Sequence, residues 1–310
     1  MRVAFFGTCD FAVPALQALV KSRHDVARVV AAPPKPSGRG RKLTPSPVEQ
    51  EARALDLQVS TPANPNDPAF VTELASLRPD IAVLAAYGYI LKPPLLAAPR
   101  LGFLNIHPSL LPRFRGAAPI QRALMSGEPE TGVTVIALSE QIDAGDILEQ
   151  VVVPVDPDET AGELSRRLST LGARLILDAM ARLQEGRANR TPQAPGLATR
   201  ASKIAKSERP VDWREPASHV HNHIRALSPE PGAVTGFRGR RVVLLRSRLH
   251  AATDGGEPGR LLVLHAGLVV ATGSGAVEIT ELKPEGSRAQ TGTSFRNGHR
   301  LVEGDRFAAA

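Results

Sequence analysis

The chain has 310 residues, 42% of them hydrophobic and 22% charged, enough for one large domain or two smaller ones. Its single cysteine excludes an intramolecular disulfide and a cysteine-rich zinc site, and fits a reducing cytoplasm. We expect no signal peptide and no membrane span, because every apolar run is too short, whereas a formal net charge of +7 favours a polyanionic partner.

Short apolar runs alternate with helical stretches along the first half of the chain. The runs RVAFFG, DVARVVAA, IAVLAAY and GFLNIH are typical of buried strands. Helices are predicted between them, from Asp10 to about Val20, over residues 46–55 and over residues 68–77. This alternation predicts a parallel α/β sheet.

The next segments complete the predicted sheet and cover it. TGVTVIAL and DILEQVVVPV predict two more strands. The sequence TAGE at residues 160–163 is typical of a capping box, and it starts a long helix with leucines at helical spacing that Gly186 ends. Residues 186–206 combine arginines and lysines with prolines and a glycine, which indicates a basic linker.

The last third of the chain changes to short strands. A helix near residues 217–226 is followed by RVVLLRSRL, RLLVLH, LVVATG and AVEITEL, with a predicted hairpin around Ala266 and Gly267. Short strands with glycine turns predict a compact β-barrel of the OB type. The predicted domains are therefore residues 1–188, a linker at 189–206, and a barrel at 207–310.

Candidate chemistry lies where a strand meets a stiff, proline-rich loop, in LNIHPSLLPRFRGAAPIQ at residues 104–121. Asn105 and His107 are two residues apart and so share one side of the strand. Asp143 and Asp146, in the glycine-containing loop IDAGDI, could bring a carboxylate beside His107. An amide, an imidazole and a carboxylate suit acyl transfer to an amine. The same residues also fit ordinary hydrogen bonding at a strand end and in a turn.

NIHPSLLPRFRGAAPIQ, followed by IDAGDI at its present distance, resembles the folate-dependent formyltransferase family. FFGTCDFAVPALQAL, PSGRGRKLTPSPV and SKIAKSERPVDW are similar to the members that act on methionyl-tRNA, and the resemblance covers nearly the full length. It implies a cytoplasmic, metal-free enzyme that transfers the formyl group of 10-formyltetrahydrofolate to the α-amine of methionyl-initiator-tRNA. The implied fold is a Rossmann-like formyltransferase domain with a C-terminal OB-like β-barrel, and we expect a monomer.

The resemblance also implies residue roles. Asn105 and His107 would stabilise the oxyanion of the tetrahedral intermediate, and Asp143 would hold His107 and assist proton movement. The implied folate-binding residues are Ser109, Leu110, Leu111, Pro112, Tyr87, Gly88, Ile90 and Leu91. The implied tRNA-binding residues are Lys35, Arg39, Arg41, Lys42 and Lys206. The chain departs from the family pattern at Cys9, where proline is usual, and at Pro108, where glycine is common.

Other interpretations stay open from the sequence. The basic loop PPKPSGRGRKL also fits a solvated, flexible segment. His219–His223 (HVHNH) lacks an evident third metal ligand, and no base is visibly paired with Cys9 as a nucleophile. A formyltetrahydrofolate hydrolase, a glycinamide ribonucleotide formyltransferase and a sugar-nucleotide formyltransferase would use the same three polar residues. A non-catalytic tRNA-binding protein is the alternative from another class.

Overall fold

The computed structural model describes residues 1–37, 42–251, 256–262, 267–302 and 304–308. The chain divides into two units. The first unit comprises Met1–Pro119, Thr131–Val153 and Ser165–Ala201, and the second comprises Ile120–Glu130, Pro154–Leu164 and Ser202–Ala310. Within the described ranges, none of the helices is both long enough and apolar enough to cross a membrane.

The chain up to residue 201 contains eleven of the described strands and six α-helices. The strands are β1 (Arg2–Gly7), β2 (Asp25–Val30), β3 (Lys35–Ser37), β4 (Lys42–Thr44), β5 (Val59–Ser60), β6 (Ile81–Ala85), β7 (Phe103–His107), β8 (Arg115–Gly116), β9 (Glu130–Ala137), β10 (Ile147–Pro154) and β11 (Arg200–Ala201). The α-helices are α1 (Val13–Lys21), α2 (Pro47–Ala54), α3 (Pro68–Ser76), α4 (Pro93–Leu96), α5 (Pro119–Met125) and α6 (Ala161–Gln184). Single 3-10 turns cover Asp10–Ala12, Pro195–Leu197 and Lys206–Glu208.

The remaining elements belong to the second unit. They are α7 (Ala217–Leu227), β12 (Ala233–Phe237), β13 (Arg240–His250), β14 (Leu261–Leu262), β15 (Val269–Ala271), β16 (Ala276–Pro284), β17 (Gln290–Thr291), α8 (Gly292–His299) and β18 (Phe307–Ala308). The predicted helix over residues 217–226 therefore matches α7 to within one residue.

The first unit is built on a mixed sheet. Seven of the described strands are ordered β10-β9-β7-β6-β1-β2-β5. The pairs β1–β2, β1–β6, β2–β5 and β6–β7 are parallel, but β9 runs antiparallel to β7, with His107 opposite Thr134. The strands β1, β2, β6 and β7 are therefore parallel, as the alternation predicts, whereas β9, for which no direction is predicted, is antiparallel because the chain re-enters the sheet at the end where β7 leaves it. The core on one side of the sheet includes Phe6 and Phe103.

The long helix α6 starts as the sequence predicts. The backbone N–H of Thr160 donates to Glu163 Oε2 at 3.0 Å, and the backbone N–H of Glu163 donates to Thr160 Oγ1 at 3.3 Å. This reciprocal pair satisfies two of the N–H groups that a helix start leaves without a partner. The first helix begins later than predicted, at Val13, because Asp10 lies in the preceding 3-10 turn.

The second unit is an antiparallel sheet around an apolar core. Its described strands follow the path β14-β15-β16-β13-β12-β18, and β17 pairs with β16. β14 and β15 pair as the predicted hairpin requires, although the turn residues 263–266 lie outside the described part of the chain. An isolated antiparallel bridge joins Arg260 to Arg306, with Leu261 N–H donating to Asp305 O at 2.8 Å. This bridge lies beside the two end strands of the path. Among the described strands, β14 and β18 at the two ends of the path do not pair with each other, so the strand pairing does not form the predicted closed barrel.

Candidate active site

Asn105 and His107 lie at the end of β7, and both side chains are buried. Strand alternation places them on the same side of the strand, as the spacing predicts. The neighbouring strand β9 leads into the loop that carries Asp143. The fold therefore brings together an amide, an imidazole and a carboxylate from positions 38 and 36 residues apart along the chain.

Asp143 is the centre of this cluster. Its Oδ1 accepts a hydrogen bond from Asn105 Nδ2 at 3.3 Å, and its Oδ2 lies 3.6 Å from His107 Nδ1. Oδ2 also accepts the backbone N–H of Gly116 at 2.9 Å. The Asp143 side chain is only 12% exposed, so these contacts form where water screens charge weakly.

The other ring nitrogen of His107 fixes the ring. His107 Nε2 lies 2.9 Å from the carbonyl oxygen of Phe114. A carbonyl can only accept, so Nε2 carries a proton and donates it there. Nδ1 is then the ring nitrogen that faces the carboxylate of Asp143 and that a substrate atom beside Asp143 can reach.

The Asp143 loop depends on glycine and on an unusual backbone conformation. Asp143 has a φ of 51°, in the left-handed region that few residues other than glycine adopt. At Gly145 an added Cβ would lie 1.7 Å from the carbonyl oxygen of Ala137. Gly116 combines a φ of 126° with a carbonyl, that of Ala201, 2.7 Å from an added Cβ. Only glycine lets the backbones approach this closely.

The SLLP segment after β7 is held by hydrogen bonds to β9. Ser109 Oγ donates to Arg113 O at 2.7 Å, which closes the segment on itself. Thr134 Oγ1 donates to Ser109 O at 2.6 Å and accepts the backbone N–H of Leu111 at 3.2 Å. Ser109 and Leu111 are buried, whereas Leu110 and Pro112 are partly exposed. These hydrogen bonds hold the segment in one conformation. Its two partly exposed residues, Leu110 and Pro112, are the ones that another molecule can contact.

The AYGYIL segment follows β6 and divides into buried and exposed positions. Tyr87 and Leu91 belong to the core of the first unit, whereas Gly88 and Ile90 are exposed. Thr8 Oγ1 donates to Tyr87 O at 2.9 Å and anchors the segment. Ile90 exposes 68% of its surface, which is unusual for an isoleucine and leaves apolar area for a ligand.

The predicted tRNA-binding residues are spread over two places. Lys35 is exposed on β3, which pairs antiparallel with β4, the strand that begins at Lys42. Arg39 and Arg41 lie outside the described residues. Lys206 is exposed in the 3-10 turn of the second unit.

The histidines of the HVHNH segment each have a different partner. His219 Nδ1 lies 3.1 Å from Glu215, His221 lies between Ser247 and the carbonyl of Pro157, and His223 faces a backbone carbonyl. Throughout the described ranges, no group of three or more His, Cys, Asp or Glu side chains could hold a metal ion.

Cys9 does not have the environment of a nucleophile. Although the residue is exposed at the surface, desolvation of its thiol by the surrounding protein, with a smaller contribution from the charge of Asp10, raises the pKa of that thiol above the ordinary value. The reactive thiolate is therefore disfavoured.

Two further residues complete the cluster: Gln193, which no sequence pattern indicated, and Arg115, which from the sequence could be either a surface charge or an anion contact. Gln193 lies in the segment predicted to be a linker, yet its Nε2 donates to Asp143 O at 2.9 Å and to Gly145 O at 2.7 Å. Arg115 donates to Gln193 Oε1 through Nε at 3.0 Å and through a terminal nitrogen at 2.7 Å. No local pattern marks Gln193, because its partners lie 48 to 78 residues away.

Comparison with known proteins covers both units. Residues 1–180 match the family model described as formyl transferase, and residues 203–300 match that of the formyl transferase C-terminal domain. The methionyl-tRNA formyltransferase of Moorella thermoacetica is 42% identical over 306 residues, which cover 98% of each chain. That of Roseobacter denitrificans is 45% identical over 307 residues, which cover 99% of each chain.

The solved structures extend the likeness in fold. The crystal structure of HypX from Aquifex aeolicus in complex with tetrahydrofolic acid matches 96% of this chain with a TM-score of 0.67 and 21% identity. This chain spans 47% of HypX, so that likeness concerns the fold of a part of a longer protein. The two family models and the full-length relatives show that the chain belongs to the formyl transferase family, with methionyl-tRNA formyltransferases among its relatives.

Proposed function

We propose that this chain transfers the formyl group of 10-formyltetrahydrofolate to the α-amino group of methionyl-initiator-tRNA, in the cytoplasm, for translation initiation. One observation carries the proposal. Asn105, His107 and Asp143 meet in one buried cluster, in a chain whose relatives at 42–45% identity over nearly their full length are methionyl-tRNA formyltransferases. The resemblance of residues 105–121 to folate-dependent formyltransferases supports the folate donor.

The reaction joins the amine nitrogen to the formyl carbon and breaks the bond from that carbon to N10 of the folate. The amine loses one proton and N10 gains one. Between these steps the formyl oxygen carries negative charge, so the site must present donors to it. We assign this role to the Nδ2 group of Asn105 and to Nδ1 of His107, which donates once the imidazole carries a proton on both nitrogens. Their contacts with Asp143, at 3.3 and 3.6 Å, are longer than strong hydrogen bonds, so neither nitrogen is tied to the carboxylate and both can face a substrate oxygen.

We assign the movement of the proton to Asp143. One of its oxygens is anchored by the backbone N–H of Gly116 at 2.9 Å, and the carboxylate lies beside both donors. An anchored carboxylate can accept a proton from the attacking amine, directly or through water, and can support positive charge on His107. We therefore propose Asp143 as the group that moves the proton towards N10.

The folate donor is proposed to lie against the SLLP and AYGYIL segments. Leu110, Pro112 and Ile90 offer partly or fully exposed apolar surface for its rings. Tyr87 and Leu91 have buried side chains, so they would contribute only through the backbone. Ser109 would act indirectly, by holding the loop that carries its neighbours.

Binding of the tRNA is assigned to basic residues of both units. Lys35, Arg39, Arg41 and Lys42 would meet the phosphates near the reacting end, and Lys206 would contact the RNA from the second unit. We further propose that the second unit is a closed OB-like barrel. The bridge between Arg260 and Arg306, flanked by the 2.8 Å bonds Leu261 N to Asp305 O and Phe307 N to Gly259 O, supports closure between its end strands.

One incubation tests the function. The purified chain is mixed with 10-formyltetrahydrofolate and with methionine-charged initiator or elongator tRNA, and formyl-methionine and tetrahydrofolate are both measured. We expect formyl-methionine from the initiator tRNA, with one tetrahydrofolate for each formyl group transferred. Tetrahydrofolate without formyl-methionine would indicate a hydrolase or another acceptor. Binding of tRNA without any folate turnover would indicate a non-catalytic protein.

A further inference from the structure

The side-chain amide of Gln193 is fully used by the Asp143 loop and Arg115. Its two N–H groups donate to the carbonyl oxygens of Asp143 and Gly145, at 2.9 and 2.7 Å. Its oxygen accepts two bonds from the guanidinium of Arg115, at 3.0 and 2.7 Å. The opposite orientation of the amide would set its oxygen against two carbonyls and its N–H groups against the guanidinium. The surroundings therefore fix the amide in one orientation.

We propose that Gln193 is a positioning residue for formyl transfer: with Arg115, it holds the backbone of the loop that places the Asp143 carboxylate beside Asn105 and His107. The proposal rests on the proposed function for its catalytic readout. The side-chain amide of Gln193 bonds to Arg115 and to two backbone carbonyls of the loop, so its effect on the three side chains that we place at the reacting atoms passes through the loop.

The loop needs such a support because its backbone conformation is unfavourable on its own. Asp143 has a φ of 51°, in the left-handed region, which is unfavourable for a residue other than glycine unless its surroundings impose it. Gln193 binds the carbonyl of Asp143 itself and that of Gly145, two residues later. The carboxylate is held separately, by Gly116 N–H. Hydrogen bonds thus hold the loop both through its backbone and through the Asp143 side chain.

Arg115 connects the hydrogen bonds on the loop backbone with the one on the Asp143 carboxylate. It immediately precedes Gly116 in β8, and β8 pairs with β11, so its backbone is fixed by Arg200 and Ala201. The charged guanidinium strengthens the bonds to Gln193 Oε1. Any shift of β8 would move both the donor to the carboxylate and the anchor of Gln193 in the same direction. The distance from Asp143 to His107 is therefore expected to be insensitive to small motions of this segment.

Gln193→Glu separates positioning from simple support of the fold. A carboxylate keeps the contact with Arg115 as an ion pair, but it loses both N–H groups and faces the carbonyls of Asp143 and Gly145 with another oxygen. Gln193→Leu removes both sets of bonds. Gln184→Glu is the matched control, because it adds the same charge at an exposed residue at the end of α6.

We expect Gln193→Glu and Gln193→Leu to lower the single-turnover rate at saturating donor and tRNA by roughly 10- to 100-fold, with little change in KM, because a displacement near 1 Å costs about that much. Gln184→Glu should retain the wild-type rate. Amide hydrogen exchange should accelerate in peptides covering residues 138–147 of both Gln193 variants and not elsewhere in the first unit.

Several outcomes overturn the proposal. A wild-type rate in Gln193→Glu, or unchanged exchange in residues 138–147, means that Gln193 only supports the fold. If Gln193→Glu does not fold, Arg115→Lys takes its place, because lysine keeps the positive charge but cannot make two bonds to Gln193 Oε1. A wild-type rate in Arg115→Lys would overturn the proposal as well.

Failure of the proposed function gives a different pattern. If the wild-type chain releases tetrahydrofolate without making formyl-methionine, the acceptor is wrong, and slower release by Gln193→Glu still supports the positioning role. If it turns over no folate at all, the exchange rates alone decide whether Gln193 holds the loop.

Discussion

Replacing Gly145 with alanine tests whether the position of the Asp143 loop controls the reaction. The new Cβ would lie 1.7 Å from the carbonyl oxygen of Ala137 and 2.9 Å from its carbonyl carbon, whereas real Cβ contacts stay above 3.0 Å. Both atoms belong to the backbone and cannot turn aside. The loop must therefore move away from β9 by more than 1 Å.

The movement has consequences for both rate and stability. It opens the 2.9 Å bond from Ala137 N–H to Asp146 O and the 2.7 Å bond from Gln193 to Gly145 O. A displacement near 1 Å at a catalytic group lowers a rate by about 100-fold, which corresponds to about 2.7 kcal/mol in the activation free energy. Overpacking of this kind lowers the free energy of unfolding by about 1–3 kcal/mol.

Single-turnover formylation with saturating initiator tRNA measures the rate, and thermal unfolding measures the stability. Gly196→Ala is the control, because a Cβ at Gly196 meets nothing within 4 Å and this glycine lies in the same unit. We expect that variant to retain the wild-type rate and stability. A Gly145→Ala protein that is destabilised as expected, yet reacts at the wild-type rate, would refute the view that the loop must hold Asp143 closely in place.

Further substitutions test the other assignments. Asn105→Ala and His107→Ala should each lower the single-turnover rate by about 100- to 1000-fold while the protein stays folded, as loss of one oxyanion donor does elsewhere; near wild-type rates in either would remove that residue from the mechanism. Lys206→Ala should make the plot of log affinity for tRNA against log salt shallower by roughly 0.7–0.9, while Lys21→Ala, exposed in the first unit, should not. Equal slopes in filter binding for these two variants would place Lys206 away from the RNA. Burial tends to raise the pKa of Glu163, but hydrogen bonds from Arg246 and Thr160 lower it to about 2 from an ordinary 4.5, so the stability that they provide is present above pH 4.5 and is lost as the pH falls towards 2. Glu163→Gln should therefore be less stable than wild type near neutral pH, with a difference that narrows between pH 4.5 and 2 in chemical denaturation; a difference that does not depend on pH would contradict this role for Glu163.

Local rules explain which features could be predicted from the sequence. The period of a strand is two residues, so Asn105 and His107 could be paired on one side of β7 without knowledge of the fold. The capping box at Thr160 is equally local, since its two hydrogen bonds join residues three apart. Features of this kind are encoded within a few residues and survive in almost any tertiary context.

Features that depend on distant partners could not be predicted in this way. Sequence spacing left Asp143 and Asp146 as equal candidates, and only the fold brings Asp143 to Asn105 and His107. The antiparallel pairing of β9 with β7 depends on where the chain re-enters the sheet, which strand patterns do not record. Gln193 stood in a segment predicted to be a linker, because arginines, prolines and glycines around it dominate the composition.

Residues 114–116 show why the three polar side chains alone do not define this site. The carbonyl of the first residue accepts from His107, the side chain of the second binds Gln193, and the backbone N–H of the third binds Asp143. Two of these three contacts come from the backbone, so they depend on the path of the chain more than on the side chains of the segment. This segment therefore fixes the position of the His107 ring relative to the Asp143 carboxylate, because it binds both. An unrelated fold with the same amide, imidazole and carboxylate would lack this supporting segment, and the distances between its donors and its carboxylate would not be fixed.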